Sequence, residues 1–132
     1  MDLKNKLIVK SETTSAEVHD SQVFKQLLDE KDKAVLADSA YYSEENEEYV
    51  LEVINAHEFI MRKANRNNPL SEQETKTNHT ISRMRVRVEH VFGRMAHMGA
   101  DIYRRIGLKR AKSHNHLCNL TYNMDRYSLV TR

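Results

Sequence analysis

Asp38 stands directly after Ala34-Val35-Leu36-Ala37, an uninterrupted apolar run, and Glu89 is the sole acid between Glu74 and Asp101. Each carboxylate has two uses at such a position. An aspartate that follows a buried strand begins a turn, or it faces a ligand, because ligands of α/β sheets gather at the carboxyl ends of strands. An acid among Arg83, Arg85, Arg87 and Arg94 is a salt-bridge partner on a helix surface, or a cation ligand at the border of a buried stripe, with Arg85 beside it. Two ligating carboxylates would suit Mg²⁺, a hard cation that takes oxygen donors and keeps several waters. A pair of such ions ~3.5–4 Å apart activates a nucleophile and stabilises the leaving oxygen of a phosphodiester. Spacing alone leaves both alternatives open.

The elements that must position these residues follow from pattern. Residues 6–14 are rich in β-branched types and read as a strand, and Asp20 is placed to cap a helix over residues 21–28. The run Ala34–Ala37 has the signature of a strand buried on both faces. Ser43 before Glu44, Glu45, Glu47 and Glu48 opens a second helix, with Tyr49, Val50, Val53 and Ile54 as its buried stripe. A third strand at residues 57–62 ends in a polar loop, residues 63–70, that holds the sole proline, Pro69. Ser71-Glu72-Gln73-Glu74 is a capping box. It opens a helix to about Met98, with a break near residues 78–80, and Met84, Val88, Val91, Phe92 and Met95 share its core face. Residues 108–127 form a last helix. Strand and helix alternate, which predicts an α/β fold with parallel neighbours after the first strand.

Length and composition set the bounds. A chain of 132 residues, 39% apolar and 30% charged, is one domain's worth, and no stretch approaches the ~20 apolar residues of a membrane span. Cys118 is the only cysteine, which excludes an internal disulfide and a multi-cysteine zinc site. With no apolar leader after Met1, the expected compartment is cytoplasmic. Residues 1–78 carry 10 Lys and Arg against 16 Asp and Glu, net −6, whereas residues 79–132 carry 11 against 3, net +8. A basic helical region of this kind points to a phosphate-bearing partner, or is an ordinary solvated face. Arg83, Arg87, Arg94, Lys109, Arg110 and Lys112 are its candidate phosphate contacts. His114, His116 and Cys118 stand two apart on a helix and so point different ways, which argues against a shared metal ion. Tyr41 and Tyr42 either stack on an unpaired base or pack in the core.

Five ordered motifs carry a family resemblance. They are Val18-His19-Asp20-Ser21-Gln22-Val23-Phe24, Ala37-Asp38-Ser39-Ala40-Tyr41, Arg85-Val86-Arg87-Val88-Glu89-His90-Val91-Phe92-Gly93, Ile106-Gly107-Leu108-Lys109-Arg110-Ala111-Lys112 and Asn119-Leu120-Thr121-Tyr122-Asn123. Together they resemble the insertion-sequence-five group of bacterial DDE transposases, over nearly the whole chain. The resemblance implies a ribonuclease-H-like fold with strand order 3-2-1-4-5. It also implies a metal centre of two aspartates and a glutamate, holding two Mg²⁺ or Mn²⁺ ions, in which Asp38 is the second aspartate and Glu89 the glutamate. Arg85 then orients Glu89 or meets a phosphate. The implied reaction cuts the phosphodiester at an element's ends and joins the freed 3′-hydroxyl to target DNA.

The resemblance also brings expectations about completeness. The first aspartate of the family precedes a strand whose end resembles Met1-Asp2, so the chain is expected to be an N-terminally truncated, incomplete fold. Strands 3, 4 and 5 are present, strands 1 and 2 absent, and residues 1–132 form a single partial catalytic domain whose basic helical region is residues 79–132. Such a chain is expected to be inactive alone and to associate with a second copy or with a missing N-terminal fragment. Ser82 and Ala96 stand where related proteins have a tyrosine and a lysine. The alternative is therefore a non-catalytic remnant that binds DNA or a transposase.

Overall fold

The computed structural model describes residues 1–64, 69–102 and 106–131, apart from the side chain of Asp20. The elements run α1 (Asp20–Leu27), β1 (Ala34–Ala37), a 3-10 turn (Ser39–Tyr41), α2 (Glu44–Glu48), a π-helical turn (Tyr49–Val53), β2 (His57–Ile60), α3 (Glu72–His97) and α4 (Leu108–Val130). The expected α/β mixture is present, as a two-stranded parallel sheet with four α-helices. Part of the expected 63–70 loop lies outside the described residues. Among the described residues no helix is long and apolar enough to cross a membrane.

The chain divides into two compact units, residues 18–85 and residues 1–17 with 86–132. In the first, β1 pairs with β2 in register Ala34↔His57 through Ala37↔Ile60. Phe24, Val35, Ala37, Val50, Ile54, Ala56 and Ile60 form its core. Full burial of side chains such as Val50 and Ile60 contributes about 1.5–3 kcal/mol each. Tyr41 packs on Phe24 with ring centroids 5.6 Å apart, and Arg62 lies 4.6 Å over the Tyr42 ring, so both tyrosines serve the packing.

Local sequence explains the helix starts. Ser43 Oγ accepts the Asn46 N–H, and the expected capping box is complete, with Ser71 Oγ accepting from Glu74 N and Glu74 accepting from Ser71 N. The cap of α1 is a correction: His19, not Asp20, holds that position, its ring accepting the Ser21 N–H, and Asp20 is the first helical residue. Val53 is a second correction, 61% exposed while Val50 and Ile54 are buried. The π-helical turn changes the phase of the stripe, because i→i+5 bonding spreads each turn over more residues. Helix α3 runs without the expected break. Asn78, which suggested the break, donates through Nδ2 to the Arg62 carbonyl and accepts the Arg62 N–H, both at 2.9 Å.

In the second unit Val91 and Tyr122 are buried. Phe92, expected in the α3 stripe with Val91, is 59% exposed, so the buried face is narrower than the periodicity implied. The strand expected over residues 6–14 is absent. Only an isolated Asp2–Leu7 bridge forms there. A strand exists only where a neighbour takes its backbone groups, and here those of Lys6 and Ile8 are taken by side chains of α4.

Arg62 fastens the first unit. Its two terminal nitrogens each lie 2.6 Å from a Glu47 oxygen, and both side chains are three-quarters shielded. The hydrogen bonds from Arg62, opposed by burial, hold the Glu47 carboxyl below its ordinary range. Arg62→Ala should therefore lower stability by about 2 kcal/mol at neutral pH in thermal or urea unfolding. A depressed carboxyl stabilises above its unfolded pKa and loses that contribution as pH falls through the folded value. The gap between variant and wild type should accordingly close below about pH 4.

Candidate functional site

Strand β1 ends at Ala37 because Asp38 turns the chain. The Asp38 carboxylate accepts the Ser39 N–H at 2.5 Å through Oδ1, capping the 3-10 turn, and its side chain remains 44% exposed. Both readings of this residue are thus compatible at once: it begins a turn, and it presents an oxygen at the carboxyl end of a strand.

The other oxygen is held by an arginine from a distant stretch of sequence. Arg85 Nη1 lies 3.0 Å from Asp38 Oδ2, and the same nitrogen reaches the Met61 sulfur at 3.6 Å. Partial burial pushes the Asp38 carboxyl up. The Arg85 charge and the N–H groups of Ser39 and Ala40 outweigh it, so the group sits below its ordinary value and is ionised at neutral pH. Arg85 therefore meets Asp38, where sequence reasoning offered Glu89 or a phosphate. Among the described residues Glu89 is exposed and takes part in no ion pair, although arginines surround it in sequence.

The neighbouring arginines are engaged elsewhere. Arg87 donates to the Leu3 carbonyl at 3.1 Å, and Arg94 grips both Asp125 oxygens at 3.1 and 2.9 Å. Arg83 is exposed on α3. On α4, Lys112 pairs with Glu12 at 2.6 Å, while Lys109 and Arg110 line a surface hollow of about 500 Å³ with Ser113, His114 and Leu117. These cations lie in the first turns of α4, which starts at Gly107 with φ of 92° and has neither a side-chain cap nor an acid in its first turn. Positive side chains at a helix N-terminus oppose the macrodipole, and a bound anion there would reverse the sign.

A model of the transposase DDE domain matches residues 1–124. The chain belongs to that family. It is also 40% identical, over 82 residues, to the transposase for insertion sequence element IS1106 of Neisseria meningitidis serogroup B, a match that covers 61% of this chain and 28% of that relative's length. No solved structure matches.

Within this DDE-family chain the structure also gives a role to asparagines of which the sequence marked two, Asn119 and Asn123, only as part of a family motif. Asn115, Asn119 and Asn123 recur every fourth residue of α4 and bond Thr13, Ser11 and Ile8 respectively. Their i, i+4, i+8 spacing on a helix was the available signal. The His114–Cys118 pair follows the same rule: His114 Nε2 lies 3.5 Å from Cys118 Sγ, four residues on, and His116 takes no part in it. Among the described residues no three of His, Cys, Asp and Glu gather in one metal-binding cluster.

Arg85→Ala should raise the Asp38 pKa, because the Arg85 charge that lowers it is lost while the burial that pushes it up remains. A carboxyl-carbon NMR titration reads this directly. An unchanged midpoint would assign the shift to the Ser39 and Ala40 amides instead.

Proposed function

We propose that this chain is the C-terminal part of the catalytic domain of a bacterial insertion-sequence DNA transposase, of the insertion-sequence-five group. Its β1 and β2 are strands 4 and 5 of a ribonuclease-H-like sheet. One observation carries the reading beyond family membership: two separate motifs meet at a strand end, where Arg85 pairs with a partly exposed Asp38 carboxylate. Ligands of open α/β sheets gather at that end. The parallel pairing of β1 with β2 and the similarity to the IS1106 transposase support it.

In this reading the substrate is double-stranded DNA at an element's ends and at a target. Water attacks phosphorus and the bond to the 3′-oxygen breaks; the freed 3′-hydroxyl then attacks the phosphorus of a target phosphodiester, whose own 3′-oxygen leaves as a hydroxyl. Asp38 and Glu89 would hold Mg²⁺ or Mn²⁺, for which an ionised, partly exposed carboxylate is a fitting hard donor. Such ions, when bound, activate the nucleophile and stabilise the leaving oxygen. Arg85 orients Asp38 and, released from it, meets a phosphate oxygen. Lys109 and Arg110, in the uncapped first turns of α4, contact the DNA backbone, with Arg83, Arg87, Arg94 and Lys112 as further candidates. Completion of the site calls for another segment or a second copy.

A second reading, binding without cutting, rests on Ser82 and Ala96. Both are exposed on α3 and offer neither a phenol nor an ammonium group at positions where related enzymes have them. Metal binding separates the two. In Mn²⁺ calorimetry Asp38→Asn and Glu89→Gln should each weaken binding by about tenfold or more, while leaving DNA affinity unchanged. Indifference of Mn²⁺ affinity to both substitutions would favour the binding-only reading. The double variant Lys109→Ala, Arg110→Ala should weaken duplex binding and reduce its salt slope by about two, with stability equal to wild type or slightly higher.

A further inference from the structure

Residues 3–13 lie along α4 and the last turns of α3, and the bonds that hold them are mostly of one chemical kind. Arg87 donates to the carbonyl oxygen of Leu3, Arg126 to that of Asn5 at 2.9 Å, the Tyr122 hydroxyl to that of Lys6 at 2.9 Å, and Asn123 to that of Ile8 at 2.8 Å. Further along, Asn119 donates to the Ser11 hydroxyl at 2.8 Å, Asn115 to the Thr13 hydroxyl at 2.9 Å, and Lys112 to the Glu12 carboxylate. Each of these donors is aimed at oxygen. The Ile8 N–H, donating to Asn123 Oδ1 at 2.9 Å, runs the other way.

The occupant matches this seat poorly in two respects. Apolar anchoring is slight, since Val9 is 68% exposed and Leu7 and Ile8 are only half-buried. Charge is mismatched as well: the seat carries Arg87, Lys112 and Arg126, yet residues 3–13 carry Lys4, Lys6 and Lys10 against the single acid Glu12, which pairs with Lys112. A row of amide, hydroxyl and cationic donors along a helix, directed at oxygens of an extended chain, complements a phosphodiester strand better than a cationic peptide.

We propose that the amide stripe of α4, with its flanking cations, is a seat for a single strand of nucleic acid, and that residues 3–13 are a removable cover over it. The proposal rests on the DNA-acting reading above and adds Asn115, Asn119, Asn123 and Arg126 to the surface that reading uses. Binding is then limited by the fraction of molecules in which the cover is open.

The test is fluorescence anisotropy at low salt, on the full chain, with a short labelled oligothymidine and a duplex as probes. Ser11→Ala with Thr13→Ala removes two oxygen acceptors of the cover without changing charge. It should tighten oligothymidine binding by about tenfold and leave duplex binding within about twofold. Asn119→Asp keeps the cover in place, because the Ser11 hydroxyl then donates to the carboxylate, but repels phosphate. It should bind oligothymidine more weakly than Thr121→Asp, which adds the same charge on the opposite face of α4. Hydrogen exchange over residues 5–13 reports opening. Should exchange stay slow in the double variant, Ile8→Pro deletes the N–H that Asn123 accepts and opens the segment at constant charge.

Faster exchange with unchanged oligothymidine affinity would overturn the proposal, as would equal losses in Asn119→Asp and Thr121→Asp. So would a synthetic copy of residues 1–17 that saturates the opened variant without displacing oligothymidine, since the seat would then be one for peptide. Loss of the DNA-acting reading is separately visible: wild type and the Lys109→Ala, Arg110→Ala variant would bind duplex equally weakly, whatever the opened variant does with a single strand.

Discussion

Two paired strands leave most backbone polar groups of this chain without a ladder partner, and a buried or half-buried N–H or C=O cannot be left unmet. Asparagine is the recurring solution. Its side chain is an amide, with one acceptor and two donors, and so it substitutes for the peptide group of a missing neighbour. Asn78 does this for Arg62 and Asn123 for Ile8, each meeting both the N–H and the C=O of one residue as a strand partner would. Asn46, buried beneath the 3-10 turn, takes the Tyr41 carbonyl. Irregular chain at Arg62 and Ile8 is therefore tied to a helix through an asparagine.

Charge follows a related logic. Arg62, Arg85 and Arg94 each have a carboxylate partner, and in each case the partner comes from a different element. The Arg85 and Arg94 pairs, each with one more exposed partner, set positions more than they set stability, whereas the better shielded Arg62–Glu47 pair does both. Asp38 shows the consequence. Its oxygens are held by Arg85 on one side and the Ser39 N–H on the other, which positions a strand-end carboxylate that a cation would need. Lys109 and Arg110 contrast with these pairs, lying at a helix end whose dipole disfavours them. Local choices that oppose the fold tend to mark functional surfaces.

The sequence made the locally encoded parts legible. Strand β1, the Ser43 cap, the Ser71–Glu74 capping box and the extent of α3 and α4 follow from a few adjacent residues, and all are found within a residue or a few of their expected places. The strand at residues 6–14 did not survive, because strand formation depends on a neighbour that β-branched composition cannot supply. Phe92 and Val53 were misplaced because periodicity tells which residues share a face, not how wide the covered arc is or where a turn widens. At the candidate site, Asp38 and Arg85 could each be singled out from pattern. Their contact could not, since 47 positions separate them in the numbering and the α3 register decides which partner Arg85 meets.

The same limit explains why the bonds of the α4 asparagines could not be foreseen. Asparagine in a helix interior reads as a weak helix former and nothing more, and its value appears only when the acceptor it meets is known. Three of them on one stripe, at four-residue spacing, cost α4 helical propensity three times over. Packing does not require that cost, because an alanine or leucine stripe would make the helix more stable. What an amide stripe provides instead is attachment without apolar burial. Polar bonds of this kind are worth about 1 kcal/mol each net, because water replaces them on release. A segment fastened by such bonds is held in one register by many weak contacts, each of which water replaces on release.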